Sequence, residues 1–532
     1  MRMAMIRPGS ITLASTLATV VVLLAAIPLV FVLYNSLSLG PERWFGLWGR
    51  RLPELLFNTL SLSVLVAIGS FFIGVSAAWL VSRRRFAGRK LAIWLMVLPL
   101  TIPTYVFAHI YTTLLEPDGW LGRLWVWITG NSESIPDLYN IFGVALVLSL
   151  AGFSYVFLLV RTALLSSNRS LEEAAIMQGA TPLQVFWRVT LPMLRPAIAA
   201  GLAVVVLHVL SDFGAVSMLQ FQTFTLSIYL QMTGRFDYQT AAGLSFILVM
   251  LSLTFLMVER VFRSRQRYYT GSQQQHNKIK MKQASRGQQL LIWLWLGLIV
   301  CFSFGLPLAW MLVWSWDAFA QSLIDSRFWG YAVNSLTVSS IVATLTLIAA
   351  LPVALYHARK HSRYSMACVH LSSVGFVLPG PVIALGILTF ILTVLPPLYG
   401  TLVALVLALV IRFMPLAVQS QEAALQQLTP SLEQAGRVLG ASPRENFFRV
   451  VLPVIRNGMV SAWVLVFIDA LKELPATLLL RPIGFDTLPV RIWIEASEEM
   501  LELAAPAALM IVIGTLPVLW FLMRKIDDPQ RR

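Results

Sequence analysis

The sequence predicts an all-α polytopic membrane protein made of two tandem six-helix halves, and three observations predict it. Of 532 residues, 58% are hydrophobic and only 12% are charged, about half the charged share of an ordinary soluble domain. About twelve segments reach the roughly 20 apolar residues that a spanning helix needs. A polar stretch at residues 270–289 separates two halves that repeat one basic loop. So few polar residues cannot cover the surface of several soluble domains. Cys301 and Cys368 lie in apolar stretches, so neither a disulfide framework nor a cysteine metal cluster is available.

In the first half the expected spans are 11–34, 58–81, 91–115, 139–160, 197–219 and 240–261. In the second they are 290–314, 332–355, 366–395, 400–418, 459–480 and 501–523. None alternates as a β-barrel strand would, so helices are the spanning unit. Two spans carry breaks, 91–115 at Pro99 and Pro103, and 366–395 at Pro379, Gly380 and Pro381. Arg2 and Arg7 precede an apolar run longer than a signal-peptide core, so an uncleaved first helix is expected.

The net charge of +15 follows the loops. One set holds Arg83, Arg84, Arg85, Arg89 and Lys90, then Arg161, Arg169, Arg188 and Arg195, then Arg359, Lys360 and Arg363. Arg412, Arg437, Arg444, Arg449 and Arg456 are counted on the same side, with the cluster from Arg260 to Arg286 and both termini. The alternate loops are acidic, with Glu116, Asp118, Glu133 and Asp137, then Asp317 and Asp325, then Glu495, Glu498, Glu499 and Glu502. Basic loops stay in the cytoplasm, which places both termini there. The positive charge thus reports topology, and a nucleic-acid partner is not expected.

The repeated loop is LEEAAIMQGATPLQVFWRVTLPMLR at 171–195 and LEQAGRVLGASPRENFFRVVLPVIR at 432–456. Without gaps the copies share Glu172/Glu433, Ala174/Ala435, Gly179/Gly440, Pro182/Pro443, Arg188/Arg449 and Pro192/Pro453. Both halves have the same orientation, as in a parallel repeat about an axis normal to the membrane. Each copy reads as a short helix, a glycine break that permits a sharp turn, and a second helix ending before Leu-Pro. Such a loop either lies on the membrane surface or projects as a docking element.

Glu173-Ala174-Ala175, Gly179 and Val189-x-Leu191-Pro192 resemble the EAA loop of binding-protein-dependent ABC importer permeases. The second copy has Gln434-Ala435-Gly436 in place of Glu-Ala-Ala and keeps Gly440 and Leu452-Pro453 at the same spacing. The resemblance implies two fused type I permease domains. The first is 1–262 (core about 55–262), then a cytoplasmic linker at 263–289, then the second at 290–532 (core about 330–523). It implies one ATPase-coupling site at Glu172, Glu173, Ala174, Ala175 and Gly179, and another at Glu433, Gln434, Ala435, Gly436 and Gly440. Gln434 cannot form the charge-assisted pair open to Glu173, so Glu433 substitutes or the second contact is weaker.

No GxxxxGK[ST] phosphate loop occurs, so no nucleotide site, cofactor or catalytic residue is expected in this chain. The resemblance assigns ATP and Mg to separate ABC ATPase subunits, expected in two copies, and substrate capture to an external binding protein. The chain itself would be a multi-pass component of a bacterial inner membrane.

Asp212 and Glu473 occupy matching places after the two loops, roughly 20–30 Å along a helix from the cytoplasmic proline. An intramembrane carboxylate invites a functional reading, and Asp469 one turn earlier adds oxygen ligands suited to hard cations. The competing reading is structural, with Lys472 neutralising Glu473. The segments Asp212-Phe-Gly-Ala-Val-Ser, Thr223-Phe-Thr-Leu-Ser-Ile-Tyr, Lys472-Glu-Leu-Pro-Ala-Thr and Phe485-Asp-Thr-Leu resemble ferric-iron permeases. Fused permeases for thiamine and aminoethylphosphonate are alternatives. A secondary transporter would show inverted repeats and no matched docking loop, and no channel filter signature appears. His109, His208, His276, His357, His361 and His370 are scattered, and no metal site is assigned.

Overall fold

A computed structural model describes residues 8–166, 170–264, 282–360, 362–376, 378–426, 428 and 430–527. The chain is an all-α polytopic membrane protein. Ten helices among the described residues are long and apolar enough to cross a membrane, from Ala14–Leu37 to Glu502–Phe521. The two proline-broken segments account for the remaining expected spans. Arg89–Thr101 and Thr104–Thr129 meet at a 96° bend, since Pro103 is extended (φ −63°, ψ 150°) and cannot continue the helix before it. Gly380–Val394 is a separate 15-residue helix that begins after the extended Pro379.

Three helices are shorter, longer or differently placed than the apolar runs suggest. Leu191–Ser211 stops before Asp212, and Leu452–Leu471 stops before Lys472. Each is followed by a short helix, Gly214–Met218 or Pro475–Leu480. Asp212 and Glu473 therefore sit at helix breaks and not along continuous spans. Leu402–Leu425 extends seven residues beyond the expected span, and Arg412 lies well inside the helix, about 15 Å from its start. Arg412 thus leaves the tally of cytoplasmic loop charges.

Contacts divide the chain into two compact units, 47–226 with 250–317, and 1–46 with 227–249 and 318–532. In the first, Leu52–Arg83 and Ile141–Ser166 approach closely through small residues. A Cβ on Gly74 would lie 2.9 Å from the Phe153 carbonyl oxygen, leaving room for hydrogen alone. The Arg286–Val300 helix joins this unit, with Trp295 Nε1 donating to Ser76 Oγ at 3.0 Å and Trp293 Nε1 to the Ala87 carbonyl at 2.9 Å.

In the other unit, Pro8–Leu37 packs on helices of the second half. Phe31 meets Phe390 edge-on at 5.3 Å, and Thr19 Oγ1 and the Tyr364 hydroxyl share a 2.6 Å hydrogen bond. A Cβ on Gly386 would fall 2.5 Å from Pro28 Cα, so the two backbones touch there. Residues 265–281 of the expected linker lie outside the described residues. Its end is anchored, because Lys282–Gln283 pairs in parallel with Arg84–Arg85. Ser285 and Gln288 then form a capping box that starts the next helix.

Candidate coupling loops and buried carboxylates

The two repeated loops fold alike, for local reasons. The helices Ser170–Met177 and Pro430–Val438 end at glycines in the left-handed region, Gly179 at φ +88° and Gly440 at φ +85°. Ala180 N–H donates back to the Ala175 carbonyl, and Ala441 N–H to the Gly436 carbonyl, each at 3.1 Å. These six-to-one bonds satisfy carbonyls orphaned at a helix end. Reciprocal caps restart the chain. Thr181 N–H donates to Gln184 Oε1 at 2.9 Å while Gln184 N–H donates to Thr181 Oγ1; Ser442 and Glu445 repeat the exchange. Both loops then pass through a wide π-turn, Phe186–Thr190 or Phe447–Val451, into the next spanning helix.

The expected site residues divide by direction. Glu173, Ala174 and Gly179 are exposed and Ala175 is half-buried; Gln434, Ala435 and Gly440 are exposed and Gly436 is half-buried. Gly436 lies against Asn446, whose Oδ1 would be 2.4 Å from an added Cβ, whereas the first loop has Ala175 and Val185 at the equivalent positions. Glu433 belongs to the Pro430–Val438 helix, and its side chain lies outside the described residues. Glu172 turns inward: its Oε1 accepts from Arg83 Nη2 at 2.8 Å and from Thr190 Oγ1 at 3.0 Å. Sequence spacing could not pair Arg83 with Glu172; the available signal was the position shared by Glu172 and Glu433 in both loops.

Asp212 and Glu473 are 7% and 5% exposed, and each caps the short helix that follows it. Asp212 Oδ1 accepts from the backbone N–H of Ala215 and Val216, and Oδ2 from Thr104 Oγ1. Glu473 accepts from Ala476 N–H, Thr477 N–H and Thr477 Oγ1 at 2.7–2.9 Å. Asp469 is set apart from this arrangement, 40% exposed and paired with Lys472 at 3.5 Å. Lys472 thus takes Asp469 as an ion-pair partner.

Sequence reasoning missed Arg412. A Cβ on Gly380 would be 2.5 Å from Arg412 Nη1 and 3.1 Å from Glu473 Oε1, so guanidinium and carboxylate flank one glycine. A small cavity beside Glu473 is lined by Ser335, Ser339, Thr477 and Thr487 together with apolar residues such as Val338 and Leu471.

The histidines are packed separately. His109 meets Trp310 edge-on at 5.6 Å, His208 lies beside Tyr155, and His357 contacts Glu422 and Ser365. His276 and His361 lie outside the described residues.

Each half thus carries a glycine-broken loop that leads into a Leu-Pro helix start. The chain belongs to the family of binding-protein-dependent transport system inner membrane components, which matches residues 70–268 and 345–524. It is therefore a fused two-domain membrane subunit and not an enzyme by itself. It is 32% identical to the Fe(3+)-transport system permease protein FbpB 2 of Haemophilus influenzae, over 94% of this chain and 95% of that one. It is 26% identical to the ferric transport system permease protein FbpB of Actinobacillus pleuropneumoniae, over 84% and 67%. A probable sulfate transport system permease protein, cysT of Nephroselmis olivacea, is 28% identical over 40% of this chain and 75% of its own length.

Proposed function

We propose that this chain forms the membrane pathway of an ATP-driven importer of ferric iron. The carrying observation is the 32% identity with a Fe(3+) permease across nearly the whole of both chains. A periplasmic binding protein delivers the iron, and two ABC ATPase subunits, which use the ATP and Mg, drive its passage. Both termini face the cytoplasm, and the chain divides into domains at 1–262 and 290–532 around the linker. The exposed faces of the loops, with Glu173, Ala174 and Gly179, and Gln434, Ala435 and Gly440, receive the ATPases, and the half-buried Ala175 and Gly436 back them. A left-handed glycine lets each short helix end abruptly at the membrane surface, which suits a docking knob.

Asp212 and Glu473 supply negative charge at matching helix breaks of the two halves. Carboxylates offset part of the cost of taking a trivalent cation into a low-dielectric passage. Their existing hydrogen bonds hold the oxygens in place before the cargo arrives.

The test is uptake of labelled ferric iron, sulfate, thiamine and aminoethylphosphonate by a deletion strain with and without this chain. Restoration of iron uptake alone is expected. Restored uptake of another cargo without iron would overturn the ferric assignment and leave the importer class intact. Uptake that persists when ATP hydrolysis is blocked would favour a secondary transporter.

A further inference from the structure

Glu172 and Glu173 are neighbours on one short helix, yet their surroundings differ. At 3.6 residues per turn, adjacent side chains point about 100° apart. Glu173 is exposed. The Glu172 side chain is 13% exposed, and its partner Arg83 only 7%. The same guanidinium donates through Nη1 to the Leu164 carbonyl at 3.1 Å, near the end of the Ile141–Ser166 helix. Thr190, the second donor to Glu172, closes the π-turn that starts the Leu191–Ser211 helix. Beside this cluster Phe186 packs edge-on against Trp79, at 5.6 Å between ring centres.

We infer that Glu172 is a positioning residue: paired with Arg83, it ties the docking loop to three spanning helices and transmits ATPase movement to them. This rests on the proposed importer function and divides the loop's labour. Glu173 meets the ATPase, and Glu172 fastens the loop to the membrane domain. A charge-assisted bond at 2.8 Å between two largely buried groups resists both stretching and rotation. An exposed pair would be screened and compliant. Removing either partner leaves the other charge uncompensated within the protein, so the junction loosens although the outer face of the loop is unchanged. The matching helix of the second half ends at Arg359, as Leu52–Arg83 ends at Arg83, so the register that places Arg83 beside the first loop recurs. The second loop has Val451 where the first has Thr190, and so lacks that hydroxyl.

The test uses the complete transporter reconstituted in proteoliposomes with its ATPase and binding protein. It compares Glu172→Arg, Arg83→Glu and the double charge swap with Glu173→Gln. Each single Glu172 or Arg83 variant is expected to keep the ATPase bound and hydrolysing while cargo moved per ATP falls about tenfold or more. The double swap re-forms the ion pair but loses the guanidinium's bond to the Leu164 carbonyl, so it is expected to restore part of that ratio, which a requirement for the native side chains alone would not allow. If a reversed charge prevents accumulation, Glu172→Gln and Arg83→Gln give the same reading. The inference is overturned if Glu172 variants lose the ATPase while Arg83 variants keep it, or if the swap restores nothing. It is also overturned if coupling is normal in every variant. Failure of the wild-type chain to bind any ATPase would instead refute the importer function itself.

Discussion

Replacing Gly179 tests whether the loop's backbone shape, and not merely its composition, is required for docking. At φ +88° an L-residue meets its own carbonyl, at a cost of about 1–2 kcal/mol. No atom lies within 4 Å of a Cβ built there, so the cost is conformational and not steric. Gly179→Ala should therefore reduce the population of the native turn roughly five- to thirtyfold. Gly179→Asn should lose less, because asparagine tolerates the left-handed region, and Gly179→Val should lose most. Gly440, at φ +85° with equally open surroundings, should show the same order. The assay is titration of the ATPase onto reconstituted permease, with the melting temperature of the permease as a control. Ranked losses of affinity at constant melting temperature are expected. Equal affinity for Gly179→Ala and Gly179→Val would refute the reasoning, since their torsional costs differ. Gly179→Asp adds a charge to the same turn and should lower transport further.

Three more perturbations separate roles that the structure combines. Asp212→Asn keeps one oxygen for both backbone N–H groups and Glu473→Gln keeps one of the two capping oxygens, while the pair of changes removes the charge, so iron uptake should fall while ATPase binding persists; full uptake would take both carboxylates out of the pathway. Gly386→Val forces a Cβ to within 2.5 Å of Pro28 Cα and should cost about 1–3 kcal/mol in thermal unfolding. Gly297→Val, with nothing within 4 Å, should be nearly neutral, and equal effects would deny the close contact. A periplasm-active reporter fused after Glu133 or Asp325 should be active and one within 271–286 inactive, the reverse pattern inverting the orientation.

The repeated loop was legible because its determinants are local. Gly179 and Gly440 end helices by torsion, and Thr181–Gln184 and Ser442–Glu445 cap the next ones across three residues. The proline breaks at Pro103 and Pro379 were equally local. Arg412 was misplaced because it was counted by charge with the basic loops although it falls within the expected span 400–418, and the helix Leu402–Leu425 keeps it inside. The Arg83–Glu172 pair joins residues 89 apart, and no periodicity reports such a meeting. Asp212 and Glu473 were found as intramembrane acids, but their capping role depends on helix ends that hydropathy cannot locate. Hydropathy also gives the length of the first span and not its neighbours.

Those neighbours bear on how the chain is made. Pro28 packs on Gly386, which follows it by 358 residues. At ~5–20 residues per second, the ribosome delivers the partner roughly 20–70 s after the first helix. The order of insertion into the bilayer therefore differs from the order of final packing. During that interval lipid tails, as apolar as the absent partner, cover the waiting face of the first helix, and no water-exposed apolar surface need form. The closing contact gives the finished unit a long-range link made late in synthesis, so a chain released after its first six spans would still lack the surface its opening helix uses.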